Sequence, residues 1–244
     1  MVASVGGTAS RFSDRVLRFL ERVEHRCAVT PAEKEAVYRL RYEAYIREGL
    51  IEPRADGQLY DEALDDAPNA WITTTFIDGE LASTVRVHVA SDETGVLPAL
   101  GSYSDLIMPH LKKRRVIIDL TRFAARLEFA RRFAGLPYVA LRPTWQAMEY
   151  FETDFPLATV VEQHQAFYRR VFGFTPWCEP RDYPKFNFKV ACMGLDFRAV
   201  KERVEARYPF FRSTRAEREA LFGRRPRRTH RSAPPEGWLR AMAG

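Results

Sequence analysis

The stretch Val116-Ile117-Ile118-Asp119-Leu120-Thr121-Arg122-Phe123-Ala124-Ala125 constrains the fold more than any other. It has the length and apolar content of a strand that crosses the middle of a sheet, yet it holds one acid and one arginine three positions apart. Successive side chains of a strand face opposite sides, so Asp119 and Arg122 diverge unless the strand bulges or splays between them. Either the pair flanks an opening or it forms a buried ion pair.

The flanking chain supplies more strands and the helices to cover them. Phe12, Val16, Phe19, Leu20 and Val23 recur at helical spacing over residues 11–23. A short strand is expected near His25–Val29. Thr30-Pro31-Ala32-Glu33 then joins an N-cap, a proline at the first helical position and a glutamate three beyond the cap, which opens a helix to about Glu48. Its stripe of Val37, Leu40, Ala44 and Tyr45 has Arg41 one turn before Tyr45. Residues 56–66 read as a polar loop rich in acids, solvated or able to bind amines. Asp78-Gly79 is a two-residue turn between strands at Ala70–Ile77 and Leu81–Val89, the second carrying Arg86.

Residues 90–115 hold Gly95, Pro98, Gly101 and Pro109 and are expected to be irregular, with one short helix at Tyr103–Leu111. Helices are expected at Leu127–Phe133 and Tyr138–Tyr150, Pro143 kinking the second or marking its first turn. A strand at Leu157–Val161 and a helix at Gln163–Val171, ended by Gly173, follow. The last strands are expected at Trp177 and Phe186–Leu195, before a charged helical stretch and the run Arg224-Arg225-Pro226-Arg227-Arg228, read as a flexible arm. This order predicts an α/β (α+β) fold, a mixed sheet with helices on its faces. The main domain is expected over 25–197, preceded by a tail and amphipathic helix in 1–24 and followed by a basic helical extension and tail in 198–244.

At 244 residues and 46% hydrophobic, the chain can bury one sizeable core. The net charge of +6 is uneven, for residues 198–244 hold 13 Arg and Lys against 5 Glu, leaving the rest at about −2. Such basicity suits an acidic carrier protein, an anionic membrane surface or nucleic acid. Nucleic acid fits poorly, because the aromatic residues of the extension do not alternate with its arginines. No apolar run reaches eighteen residues and the first ten lack a secretory pattern, so a cytoplasmic protein is expected. Cys27, Cys178 and Cys192 are too scattered for a disulfide framework, and neither they nor the five histidines have metal-ligand spacing. Gly-x-Ser-x-Gly, Gly-x-x-x-x-Gly-Lys and Gly-x-Gly-x-x-Gly are absent, which removes the markers of hydrolase-elbow, P-loop and dinucleotide sites.

Carboxylates, arginines and one tyrosine remain. Arg41-x-x-x-Tyr45, Glu62-x-x-Asp65, Arg86 in the strand after the hairpin and Asp119-Leu-Thr-Arg122-Phe123 resemble, in order and spacing, the pattern of LuxI-type acyl-homoserine-lactone synthases and of long-chain N-acyl amino acid synthases. Both are branches of the Gcn5-related N-acyltransferase fold. Gln165–Phe174 resembles that fold's last helix, and the likeness covers about 25–195. Four departures stand out. Asp119 takes the place of the lactone synthases' usual Glu, and their tryptophan after Tyr45 is missing. The pyrophosphate turn is matched only by Arg132-Phe-Ala-Gly135-Leu-Pro137, whose last position is a proline without an amide hydrogen. Tyr168 stands five residues before Gly173, where acetyltransferases have four.

The resemblance implies a splayed central sheet and acyl transfer from a thioester, acyl carrier protein or coenzyme A, to a small-molecule amine, with no bound cofactor or metal. Asp119 would orient or deprotonate the amine, Arg122 would hold a carboxylate and Tyr168 would act as general acid. Arg41, Tyr45, Glu62, Asp65, Arg86 and Phe123 would surround the substrates, and Arg132 and Gly135 would lie at the donor. Alternatives within the fold are a lactone synthase or an acetyl-coenzyme A acetyltransferase. Outside it stands a non-catalytic module that binds polyanions through its basic tail.

Overall fold

The computed structural model describes residues 5–183 and 188–223. Its elements are α1 (Val5–Leu20), β1 (Val23–Cys27), α2 (Pro31–Arg47), α3 (Glu62–Asp65), β2 (Ala70–Ile77), β3 (Glu80–Ala90), α4 (Leu100–Lys112), β4 (Ile117–Ala125), α5 (Leu127–Arg132), α6 (Leu136–Tyr150), β5 (Phe155–Val160), α7 (Glu162–Phe172), β6 (Thr175–Pro176), β7 (Arg181–Asp182), β8 (Lys189–Gly194), α8 (Phe197–Arg207) and α9 (Arg215–Phe222). Asp78 and Gly79 both hold positive φ, 51° and 83°, the type I′ geometry whose twist matches the flanking strands, and they set Ile77 opposite Glu80. From that hairpin grows a sheet ordered β1-β2-β3-β4-β5-β8-β6, with β7 on β8. Pairs from β1 to β4 are antiparallel, β4 and β5 are parallel, and β8 returns antiparallel to β5. A parallel pair needs a long crossover, which α5 and α6 provide.

Helix boundaries follow local chemistry. Thr30 and Glu33 form a reciprocal capping box at α2, and Thr214 and Glu217 repeat it at α9. Gly173, at φ 86°, ends α7 in the left-handed conformation. Three expectations are corrected. The segment after Ala99 already turns helical at Leu100, kinks at Tyr103 (φ −134°) and runs on to Lys112 with Pro109 inside it. The helix before β5 starts at Leu136, so Pro143 lies in its interior and Pro137 holds the early position that tolerates a missing amide. Glu62–Asp65, expected as loop, closes one helical turn.

Alternation along β3 and β4 sorts the two faces of the sheet. Val85, Val87, Ile118 and Leu120 join Val139, Leu141, Trp145 and Met148 of α6 in the largest core. The other face is covered by α2, through Val37, Leu40 and Ala44, and by α4, through Tyr103, Ile107 and Leu111. Residues 197–223 complete the α6 side, with Phe197, Val204, Phe210, Phe211 and Phe222 all in that core. Arg142 anchors them, donating from Nε to Phe210 O at 2.8 Å and from Nη2 to Arg212 O at 2.9 Å and Glu217 Oε1 at 2.8 Å. The run Arg224–Arg228 lies outside the described residues, as do 184–187, which include Phe186 of the expected last strand.

Candidate active site

β4 does not run evenly through the sheet. Arg122 adopts φ 56°, and the register with β3 passes from Arg86↔Thr121 to Thr84↔Ala124, so Val85 alone faces Arg122 and Phe123. Two residues against one make a β-bulge. On the other side, pairing with β5 ends at Leu120↔Ala158, while β5 continues to Val160 against β8. Between the diverging strands lies a cavity of about 800 Å³. On the α2 face its wall includes Tyr45, Asp61, Arg86, Thr121 and Tyr183, and toward α6 it includes Leu136, Pro137, Leu141 and Phe167. Arg122, Phe123 and Tyr168 also line it.

Asp119 sits one row deeper, fully buried, with Oδ2 accepting the Ala99 amide at 2.7 Å. Burial pushes its pKa up to about 6, against the opposing pull of that amide and of Arg86. Arg122 points elsewhere, its guanidinium carbon 5.6 Å from the ring centre of Tyr45. The bulge thus separates the two residues and leaves backbone groups of 121–123 without a β5 partner.

Arg41, Asp65 and Arg86 are brought together behind the wall. Asp65 Oδ1 lies 2.8 Å from Arg41 Nη1 and 3.1 Å from Arg86 Nη1, and Asp65 Oδ2 accepts the Asp61 amide at 2.8 Å. Burial works to raise the Asp65 pKa, but the two guanidinium groups and the amide outweigh it and hold the carboxyl well below its usual range. Arg86 reaches the cavity and donates from Nε to Thr121 Oγ1 at 3.1 Å. Arg41 and Asp65 do not line the cavity, and Glu62 is exposed. Tyr168 is among the cavity residues, where burial and then the field of Tyr45 raise its phenol and keep it protonated at neutral pH.

The start of α6 offers an anion few amides. The Leu136 amide bonds Phe133 O at 2.9 Å, Pro137 has no amide hydrogen, and the Tyr138 amide bonds Gly135 O at 3.1 Å. The Phe133 ring covers Gly135, within 2.4 Å of where a Cβ there would sit, and it stacks on Phe19 of α1 at 3.9 Å. Arg132 is exposed on α5.

Sequence reasoning named Asp61 only within the acidic stretch 56–66 and missed Thr121, Tyr183 and, in the row behind the cavity, His88. Thr121 and His88 were within reach of the two-residue period, since each lies two positions from a singled-out residue on the same face. Tyr183 belongs to an irregular segment with no periodicity to read. It bonds the Thr159 side chain, and burial and then the field of Asp119 raise its pKa. Among the described residues no cluster of His, Cys, Asp and Glu could hold a metal ion, and no helix is long and apolar enough to cross a membrane.

The family model described as N-acyl amino acid synthase FeeM matches residues 36–196. Among solved structures, that of FeeM, an N-acyl amino acid synthase from uncultured soil microbes, is 18% identical over 78% of this chain and 98% of its own, with a TM-score of 0.61. BjaI, a coenzyme A-dependent acyl-homoserine lactone synthase, is 16% identical over 78% of this chain and 89% of its own, with a TM-score of 0.52. The acyl-homoserine lactone synthase LasI is 16% identical over 74% and 94%, also with a TM-score of 0.52. At such identities the structures show a shared fold. No curated protein matches the chain.

Proposed function

This chain belongs to the N-acyl amino acid synthase FeeM family of N-acyltransferases, and from that premise we propose that it moves a long-chain acyl group from acyl carrier protein to the amine of an amino acid. The observation that carries the reading is the divergence of β4 from β5, which opens a largely apolar cavity between an arginine-bearing face and α6. An acyl chain suits the wall formed by Leu136, Leu141 and Phe167. Arg86 and Arg122 suit the acceptor's carboxylate, since a guanidinium offers it two parallel hydrogen bonds.

Asp119 takes a proton from the acceptor's ammonium, through the polar groups at the cavity wall. The freed nitrogen pair attacks the thioester carbonyl, and a backbone N–H of the splayed segment 121–123 stabilises the developing oxyanion. As the carbon–sulfur bond breaks, Tyr168 gives its proton to the leaving thiolate and recovers one from the nitrogen of the adduct, which leaves a neutral amide and a free thiol. Arg41 and Asp65 serve indirectly, by fixing Arg86.

A carrier-protein donor is favoured over coenzyme A by the start of α6, where a pyrophosphate would need open amides. The exposed Arg126, Arg131, Arg132, Arg169 and Arg170 offer an acidic carrier a basic surface beside the cavity. The test compares kcat/KM for the same acyl group on the two carriers. Acyl carrier protein should be preferred at least tenfold, with a KM that rises with salt and in Arg131→Glu/Arg132→Glu; equal or better use of acyl-coenzyme A would overturn the donor assignment.

A further inference from the structure

Asp65 divides its two oxygens between a guanidinium and a backbone amide. Oδ1 lies 3.1 Å from Arg86 Nη1, and Oδ2 accepts the Asp61 amide at 2.8 Å. The Asp61 carbonyl in turn accepts the Leu64 and Asp65 amides at 3.0 and 2.7 Å. Leu64 O accepts from Nε2 of His88 at 2.9 Å, two positions beyond Arg86 on the same face of β3. The α3 turn is therefore fastened to β3 at two successive rows, and both backbone groups of Asp61 are committed. Its side chain takes no part in capping α3 and borders the cavity, half-buried, as do Leu64, Arg86 and Thr121. Thr121 Oγ1 fixes Arg86 further by accepting from Nε at 3.1 Å. One buried carboxylate thus sets a second carboxylate and a guanidinium on the same cavity wall.

A free amino acid carries the matching charges, an ammonium and a carboxylate on one carbon. The Asp61 carboxylate suits the first, and the Arg86 guanidinium suits the second with two parallel hydrogen bonds. A largely apolar cavity strengthens both attractions relative to open water. Among the described residues one other acid borders the cavity, Glu48, which is exposed and has Arg47 4.0 Å away. We propose that Asp61 is the binding group for the acceptor's ammonium, paired with Arg86 for its carboxylate, so that the cavity selects amino acids over amines that lack a carboxylate and acids that lack an amine. The inference rests on the reading of the acceptor as an amino acid. Asp61 makes and breaks no bond in the transfer, and the proton still passes to Asp119.

The standard amino acids are screened as acceptors with the full-length protein, and the best of them is paired with its deamino acid, which keeps the side chain and the carboxylate and lacks the nitrogen. Asp61→Asn, close in size and neutral, should raise the KM for the amino acid roughly 10- to 150-fold, with the donor KM unchanged. Its inhibition constant for the deamino acid should match that of the wild type, because that compound has no ammonium to lose. Asp61→Glu, which restores the charge one methylene further out, should recover part of the amino acid affinity. Equal weakening toward both compounds would mean that Asp61 only shapes the cavity, and an unchanged amino acid KM would mean that the ammonium sits elsewhere. Either result overturns the proposal and leaves acyl transfer to amino acids in place. A wild-type protein that acylates none of the amino acids sinks the acceptor reading and this assignment together.

Discussion

Arg86 Nη1 lies 3.1 Å from Asp65 Oδ1, and both side chains are 1% exposed. Because Arg41 claims the same oxygen, one carboxylate holds two guanidinium groups out of water. Breaking a buried pair from one side strands a charge and costs about 3–5 kcal/mol. Asp65→Ala should therefore lower stability by that order in chemical denaturation. The folded-state pKa of Asp65 lies below its unfolded value, so its contribution is present above about pH 4 and is lost as pH falls through the folded pKa.

Asp119 has the opposite sign. Its folded pKa of about 6 exceeds the unfolded value of about 3.9, so stability from binding that proton is full below pH 4 and lost as pH rises through 6. Asp119→Asn cannot ionise and keeps an acceptor for the Ala99 amide. Its Tm should match the wild type at pH 4 and exceed it at pH 8, by up to about 2–3 kcal/mol in unfolding free energy. Over the same range its kcat/KM should fall about 10²–10⁴-fold. A variant both active and less stable would mean that Asp119 is structural only.

Arg122→Met removes a donor from the cavity wall while keeping apolar bulk over Tyr45. A charge-assisted hydrogen bond is worth about 1.5–3 kcal/mol, so the KM for the amino acid acceptor should rise roughly 10- to 150-fold, with the donor KM unchanged. Steady-state kinetics with each substrate varied in turn separates the two.

Val160 and Val161 line the cavity where β5 leaves β4. Val161→Phe should shorten the preferred acyl chain. Excluding three or four methylenes at about 0.8 kcal/mol each forfeits about 2–3 kcal/mol, a 30- to 150-fold loss in kcat/KM for the longest chain that shorter donors escape. Competition between donors of different length, read by product mass, measures it.

The C-terminal extension divides at Gly223. Arg142 ties residues 210, 212 and 217 to α6, so Arg142→Ala should destabilise by about 3–5 kcal/mol. Removal of residues 224–244 should leave Tm and acyl transfer within error of the full chain. A truncated protein that folds but no longer transfers acyl groups would give the arginine run a part in catalysis.

Much of this architecture was legible locally. Asp78-Gly79, the Thr30/Glu33 cap and the alternation of Leu81–Val89 specify the hairpin and α2, because each depends on residues a few positions apart. The bulge could be framed as an alternative, since the two-residue period makes Asp119 and Arg122 incompatible with an even strand. Its partner could not be read, for the register that sets Val85 against both Arg122 and Phe123 belongs to another strand. The same limit hid the sharing of Asp65 by Arg41 and Arg86, which tertiary contact alone creates. Composition alone did not show how the extension packs, since the charges of 198–223 surround a buried row of Phe210, Phe211, Leu221 and Phe222.

Mass spectrometry of lipid extracts from cells expressing the wild-type chain, set beside those expressing Asp119→Asn, reaches the central claim most directly. Long-chain N-acyl amino acids should accumulate with the wild type and fall to background with the variant. Extracts without any new acylated amine, together with purified protein inert toward acyl-carrier-protein donors and amino acids, would contradict it.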